Sequence, residues 1–387
     1  VIIVNTLYSI NNPILYMAQF QSTSYSNFLK LLRSELWQTP LELTLSHSEF
    51  LSVYELASKQ AVLGMVANSL IRNNVSLDRE DVMKVLAVQG RIIASNKAVN
   101  SELLLLCKLF VDNGIESIVV KGQTIGRYYP NPLVRTPGDI DFYCNETNLP
   151  KVISAMANTW GIHTEGKPSE QHYELVHNSI ILELHHCLMK FASSKSQKIW
   201  DEIFRSSSPT IVEVDGCLVP TLEPTLNVLY TFLHLYHHLV ELGVGLRQFS
   251  DVAVLLKTHY NLIDKKKFFA WLDALDFRKA FDVVQLILVN ILGMDEKYAL
   301  SPLSYDKDSL KAMNQFMDVV WFGGNFGFHG YNRKFKFKAQ YFFVTTYRKL
   351  QLYYRFYRFS PREIKASIFS SIPRKVLMAI KGDLKGI

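Results

Sequence analysis

Pro137-Gly138-Asp139-Ile140-Asp141-Phe142-Tyr143 is the stretch that decides the fold. After the breaker pair Pro137-Gly138, the run Ile140, Phe142, Tyr143 is rich in strand formers. Alternation on a strand sends Ile140 into a core and both aspartates to the opposite face. Two carboxylates sharing a face can hold a divalent cation. A chain of this length contains roughly one Asp-x-Asp by chance, so the surroundings carry the argument.

Upstream, Ile115-Glu116-Ser117-Ile118-Val119-Val120-Lys121-Gly122 reads as a short β-branched strand running into glycine, followed by the helix-compatible Gln123 to Tyr129. A strand-glycine-helix junction exposes backbone amides that can cradle phosphate, with a lysine beside them. Between this junction and the aspartates lies Tyr129-Pro130-Asn131-Pro132-Leu133-Val134-Arg135-Thr136-Pro137-Gly138, whose three prolines predict a rigid, non-helical arm. Downstream, Ser179 to His186 reads as another strand, with Glu183 and His185 on one face and His186 on the other. A basic phosphate clamp, paired aspartates and a third acid are the parts of a two-metal phosphoryl or nucleotidyl transfer site using Mg²⁺ or Mn²⁺.

The run Val120-Lys121-Gly122, Tyr129-Pro130, Arg135-Thr136-Pro137-Gly138-Asp139-Ile140-Asp141 and then Glu183-Leu184-His185 resembles a nucleotidyltransferase family of the DNA polymerase β-like superfamily. The stretch His237 to Asp251 is similar to that family's second block, and the resemblance spans roughly residues 100 to 260. It implies an α+β fold with a polymerase β-like core, a mixed sheet with flanking helices, set between N- and C-terminal helical regions. It also implies transfer of a nucleotide from an NTP, with Asp139, Asp141 and Glu183 as metal ligands and a bacterial setting often associated with polysaccharide clusters. One departure stands out: the superfamily usually has Gly-Ser or Gly-Gly where this chain has Lys121-Gly122-Gln123-Thr124.

Roles for the neighbours follow. Lys121, Gly122 and Thr124 are expected at the β and γ phosphates, with Gly138 beside them. Arg135 binds phosphate or pairs with a carboxylate, and Glu183 is a metal ligand or a salt-bridge partner of Arg135 or a lysine. His185 contacts a metal-bound nucleotide, shuttles a proton, or is hydrogen-bonded in the sheet margin. Arg247 and Asp251, four apart on a helix, make by default an intrahelical pair, and the resemblance adds a phosphate or interdomain contact. His234 and His238 have zinc-ligand spacing on a helix, but no third ligand at suitable spacing.

At 387 residues and 48% hydrophobic content, the chain is long enough for two or three packed units. Cys107, Cys144, Cys187 and Cys217 form no Cys-x-x-Cys pair, which predicts free thiols in a reducing compartment. Val1-Ile2-Ile3-Val4-Asn5 carries no basic region of the signal-peptide kind, and no apolar run approaches the roughly 20 residues of a spanning helix, so the expected location is cytoplasmic without a transmembrane segment. The net charge of +7 is uneven: residues 331–387 hold 14 Lys/Arg and 2 Asp/Glu. There, Arg333-Lys334-Phe335-Lys336-Phe337-Lys338 and Tyr353-Tyr354-Arg355-Phe356-Tyr357-Arg358-Phe359 interleave cations with aromatics. The pattern fits contact with an anionic membrane surface, nucleic acid or an acidic polymer, or else an amphipathic helix docking its aromatics on the core.

Four regions are expected: helical 1–112, an α/β core 113–220, helical 221–330 and the basic aromatic tail 331–387. Helices are read over Asn27 to Trp37, Ser46 to Asn73, Asp78 to Asp112, 148 to 160, Pro224 to Leu242, Leu246 to Thr258, Lys265 to Leu275 and Arg278 to Leu292, and strands over 115–120, 139–144, 172–177, 179–186 and 210–219. The acceptor is a sugar or sugar phosphate, a protein side chain or an RNA end. A glycosyltransferase also uses Asp-x-Asp but builds a Rossmann-like unit ahead of it, where this chain is helical. A catalytically degenerate nucleotide-binding or scaffold protein is the other rival.

Overall fold

A computed structural model of the chain describes residues 23–162, 171–241, 243–325 and 338–370. Val1 to Asn5 and Arg333 to Phe337 lie outside the described residues. Four helices lead: α1 (Thr23–Trp37), α2 (His47–Lys59), α3 (Leu63–Arg72) and α4 (Arg79–Asp112). Ser46 starts α2 through a capping box, its Oγ accepting from the Glu49 amide while Glu49 Oε2 accepts from the Ser46 amide at 2.9 Å.

The single helix expected over Ser46 to Asn73 is broken between α2 and α3. Ala61 takes a φ of +54°, which L-residues rarely adopt. Tertiary hydrogen bonds set the break: Gln60 Nε2 donates to the Val320 carbonyl, Gln60 Oε1 accepts from the Leu246 amide, and the Gln60 carbonyl accepts from the Arg247 amide. Nothing local in Lys59 to Val62 announces this.

The sheet strands follow, β1 (Ile118–Val120), β2 (Ile140–Tyr143), β3 (His172–His177) and β4 (Ile180–His185), with α5 (Gly122–Gly126) after β1 and α6 (Leu149–Trp160) after β2. Their order is β1-β2-β4-β3; β2 and β4 run parallel, while the β1–β2 and β3–β4 pairs are antiparallel. One face is apolar: Val119, Ile140, Phe142, Leu175, Leu182 and Leu184 pack with Val99, Leu103 and Leu106 of α4 and Val152 and Met156 of α6. The alternation read from the sequence therefore holds, and Asp141 and Glu183 share the other face. The arm before β2 forms a three-residue 3₁₀ turn at Pro132–Val134, and Asn96 of α4 clamps it by donating to the Leu133 and Arg135 carbonyls, each at 2.8 Å.

After α7 (Ser194–Arg205), the single strand expected over 210–219 is a hairpin, β5 (Thr210–Val214) and β6 (Cys217–Thr221). Asp215 and Gly216, with φ of +51° and +81°, make the two-residue turn that an Asp-Gly pair favours. Helices α8 (Pro224–Glu241), α9 (Leu246–His259), α10 (Lys265–Leu275), α11 (Arg278–Asn290), α12 (Lys307–Gly323) and α13 (Lys338–Phe356) complete the fold. The helices before the sheet and those after it share one buried core, in which Phe28, Phe50 and Met65 join Phe232, Phe249, Phe281 and Phe316. Tyr353 and Phe356 of α13, with Phe359, belong to it as well, so at these positions the tail docks its aromatics. Among the described residues no helix is long and apolar enough to cross a membrane.

Candidate active site

Val120 ends β1, and the next residue is forced into an unusual backbone: Lys121 has φ 55° and ψ −145°, and Gly122 has φ 42°. Such a conformation costs a non-glycine residue about 1–3 kcal/mol and persists only where its surroundings hold it. The Lys121 side chain lies inward, with Nζ 2.7 Å from Asp141 Oδ1 and 3.1 Å from His234 Nε2 on α8. An ammonium only donates, so His234 Nε2 is the acceptor of that contact. Burial works against the Lys121 charge, but Asp141, Tyr230 and Asp139 together outweigh it and hold the ammonium's pKa above its ordinary value.

The register of β2 on β4 sets Asp141 directly beside Glu183. Asp139, one residue before β2, joins them: one ligand oxygen from each of Asp139, Asp141 and Glu183 can be chosen so that all three lie within 4.8 Å of one another. The two aspartates differ in proton affinity. Burial, and then the charge of Asp141, push the Asp139 carboxyl up to about 6. Burial also raises Asp141, yet Lys121 and the hydrogen bond from His185 hold it well below the usual carboxylate range. His185 Nε2 lies 2.9 Å from Asp141 Oδ1 and 3.3 Å from Glu183 Oε2, so one imidazole bridges two carboxylates. Burial pulls the His185 pKa down, and these hydrogen bonds raise it further than burial lowers it.

The basic residues separate into two kinds. Of its two expected roles, Arg135 takes carboxylate pairing: Nε and Nη2 each donate to Asp251 at 2.7 Å, and the Tyr129 hydroxyl donates to the same carboxylate at 2.7 Å. Asp251 is thus saturated by the arm, and the intrahelical pair with Arg247 is replaced. Arg247 instead donates from Nη1 to the Thr136 carbonyl at 3.1 Å, while its buried Nε has no hydrogen-bond partner. Its guanidinium passes Gly138, where a Cβ would stand 3.8 Å from Nη1. Thr124 is fully buried, and its hydroxyl donates to the Lys121 carbonyl at 2.7 Å, closing the turn. Gln123 is tied to Asn100 of α4.

Four residues at the site were not foreseen there. Tyr230 and His234 reach it from α8, one turn apart; His234 and His238, with Nε2 atoms 3.1 Å apart, lie beside Lys121. His172 on β3 stands opposite His185, with Nε2 3.9 Å from Glu183 Oε1. Only the strand register reveals that neighbour, because a histidine in a short polar strand carries no local signal.

A family described as uncharacterised nucleotidyltransferase matches residues 46–293. The crystal structure of an antigenic nucleotidyltransferase-like protein from Paracoccidioides brasiliensis is similar over 52% of this chain and 92% of that one, at 12% identity and a TM-score of 0.31, a level at which neither fold nor function carries over. No curated protein matches the chain.

Proposed function

This chain belongs to the uncharacterised nucleotidyltransferase family, and we propose on that footing that it moves a nucleoside monophosphate from an NTP to a hydroxyl acceptor on a polymerase β-like core. The observation that carries the reading is the convergence of Asp139, Asp141 and Glu183 from two parallel strands beside Lys121 and Arg247. The donor set fits Mg²⁺ or Mn²⁺: three carboxylates offer hard oxygens, and burial first, then the charges of Asp141 and Glu183, raise the Asp139 carboxyl against the pull of Lys121. Bound there, the cation would neutralise charge on the transferring phosphoryl group and ease loss of the acceptor's proton.

The chain's own residues do the rest. Asp139, Asp141 and Glu183 hold the cation, and before it binds His185 Nε2 ties Asp141 to Glu183 through its two contacts. Lys121, Gly122, Gly138 and Arg247 are the groups for the phosphates; the unpartnered Arg247 Nε is a donor in want of an anion. Arg135 and Thr124 act as supports, the first positioning the arm and the second the Lys121 turn. In the reaction the acceptor oxygen bonds to the α-phosphorus, the α–β phosphoanhydride bond breaks, and pyrophosphate leaves with its electron pair.

The glycosyltransferase reading has less support. Among the described residues, only the three-residue β1 and a helical array precede the Asp139-Ile140-Asp141 motif, where a parallel nucleotide-binding unit would be required. The test is incubation with each α-labelled NTP, Mg²⁺ or Mn²⁺ and a cell extract, followed by identification of the labelled sugar, protein or RNA. Label transfer that is absent from Asp139→Asn/Asp141→Asn supports the reading; equal label with and without both aspartates sinks it.

A further inference from the structure

The open face of the sheet carries more negative charge than the three expected ligands. Directly opposed residues on neighbouring strands share a face. Asp141 on β2 opposes Glu183 on β4, and Glu183 opposes Glu174 on β3, so three carboxylates stand in a row across the sheet. Like charges directly opposite destabilise a sheet. Lys121 answers the Asp141 end of the row at 2.7 Å. Two residues further along β4 the next cross-strand pair on this face is His172 opposite His185.

These imidazoles frame Glu183. Oε2 of Glu183 lies 3.3 Å from His185 Nε2 and Oε1 lies 3.9 Å from His172 Nε2. The second distance is too long for a hydrogen bond. Ligand atoms bound tetrahedrally at 2.0–2.2 Å from one ion are separated by about 3.4 Å. Each imidazole thus stands near that separation from its own Glu183 oxygen, and one ligand atom from each of His172, Glu183 and His185 can be chosen within 4.8 Å of the others. His172 and Glu183 sit at the rim, with side chains 27% and 20% exposed, so an ion can reach them from solvent.

We propose that His172, Glu183 and His185 form a second cation position, sharing Glu183 with the Asp139–Asp141–Glu183 position, and that it takes Mn²⁺ or Zn²⁺ ahead of Mg²⁺. Donor chemistry gives the selectivity. An all-carboxylate set suits Mg²⁺, whereas two imidazole nitrogens favour transition ions. This position deepens the proposed function and rests on Glu183 being a metal ligand; on ligation His185 gives up the Nε2 proton that bonds Asp141, and His172 is the nitrogen donor outside the aspartate site.

The experiment uses the full chain, stripped of metal and titrated with Mn²⁺ alone, with free Mn²⁺ counted by electron paramagnetic resonance and bound nitrogen read from ¹⁴N modulation in pulsed spectra. Wild type should bind two Mn²⁺ and show imidazole nitrogen. Excess Mg²⁺ should displace one Mn²⁺ and leave the nitrogen signal. His172→Ala, and His172→Phe, which keeps the bulk of a ring on β3, should each lose one Mn²⁺ and weaken the nitrogen signal, with circular dichroism unchanged. An unaltered Mn²⁺ count in the folded His172 variants, absence of ¹⁴N modulation in wild type, or displacement of both ions by Mg²⁺ overturns the proposal. Asp139→Asn/Asp141→Asn separates the two readings: it should retain the nitrogen-bound ion, and a loss of no Mn²⁺ in that variant counts against the aspartate site alone.

Discussion

Arg135 and Asp251, 116 positions apart, are joined by two hydrogen bonds of 2.7 Å, both buried. The pair fastens the proline arm that leads into β2 to helix α9, and Tyr129 closes the same carboxylate from the other end of the arm. The angle at which Asp139 and Asp141 enter the site is thereby fixed from the helical part of the chain.

Breaking this pair should therefore cost stability first. Arg135→Ala leaves the Asp251 charge buried with Tyr129 alone, and loss of one partner of a buried ion pair costs about 3–5 kcal/mol. Arg135→Lys should recover only part of this, because an ammonium cannot make the two-pronged contact. Urea unfolding of the two variants measures it; an Arg135→Ala midpoint equal to wild type would contradict the pairing.

The distribution of what the sequence disclosed has a physical basis. Asp139, Asp141, Glu183 and His185 were readable because strand alternation is local and the apolar partners Ile140, Phe142, Leu182 and Leu184 mark the other face. Ser46 and Lys265 to Leu275 were readable because capping and helical spacing are local as well. The break at Ala61 was hidden because its cause, the hydrogen bonds of Gln60 to Val320 and Leu246, is about 190 to 260 residues away in sequence. The same holds for Arg135 with Asp251, and for His172, whose place depends on the β3 register. Helix α7 was missed although Ser193 caps it, with its side chain accepting from the Ser196 amide.

Lys121 neutralises Asp141 when no divalent cation is bound. Lys121→Met should lower stability by about 3–5 kcal/mol in chelator, since Asp141 stays buried with His185 as its remaining contact. Added Mn²⁺ should restore much of the loss by supplying the missing positive charge. Thermal melts with chelator and with Mn²⁺ decide the point; a loss of equal size in both conditions would confine Lys121 to a structural role.

His234 and His238 give a pH dependence of known sign. Burial and the Lys121 charge hold His234 well below its ordinary range, and burial followed by Lys121 brings His238 down to about 3. Both are neutral in the folded chain at pH 7, while in the unfolded chain each takes a proton near pH 6.5. The unfolded state therefore binds more protons below that pH, and stability falls with pH by about 1.4 kcal/mol per unit for each histidine. Melting temperature measured from pH 7.5 to 5.5 should drop on the acid side. His238→Gln should reduce the slope by about one proton, and an unchanged slope would show that His238 titrates normally.

Two residues of α13 should behave oppositely although only one position separates them. Phe356 is fully buried, its ring 4.9 Å from that of Phe316 and 6.2 Å from that of Tyr236, whereas Tyr354 is 90% exposed. The helix is held to α8 as well, through Lys349 and Tyr353, which reach Glu241 at 2.6 and 2.8 Å. Phe356→Ala empties a packed aromatic site and should cost about 3–5 kcal/mol, while Tyr354→Ala should stay within about 0.5 kcal/mol. Contact with an anionic surface, if the basic stretch makes one, then belongs to the outer face with Phe343, Tyr347 and Tyr354, all exposed. Cosedimentation with anionic liposomes at low and high salt reads that face separately: Tyr354→Ala should weaken salt-sensitive binding without moving the unfolding midpoint. Truncation before Lys338 should yield insoluble protein, because Tyr353, Phe356 and Phe359 leave the shared core together; a truncated chain that stays soluble and melts like the full one would mean that α13 only decorates the surface.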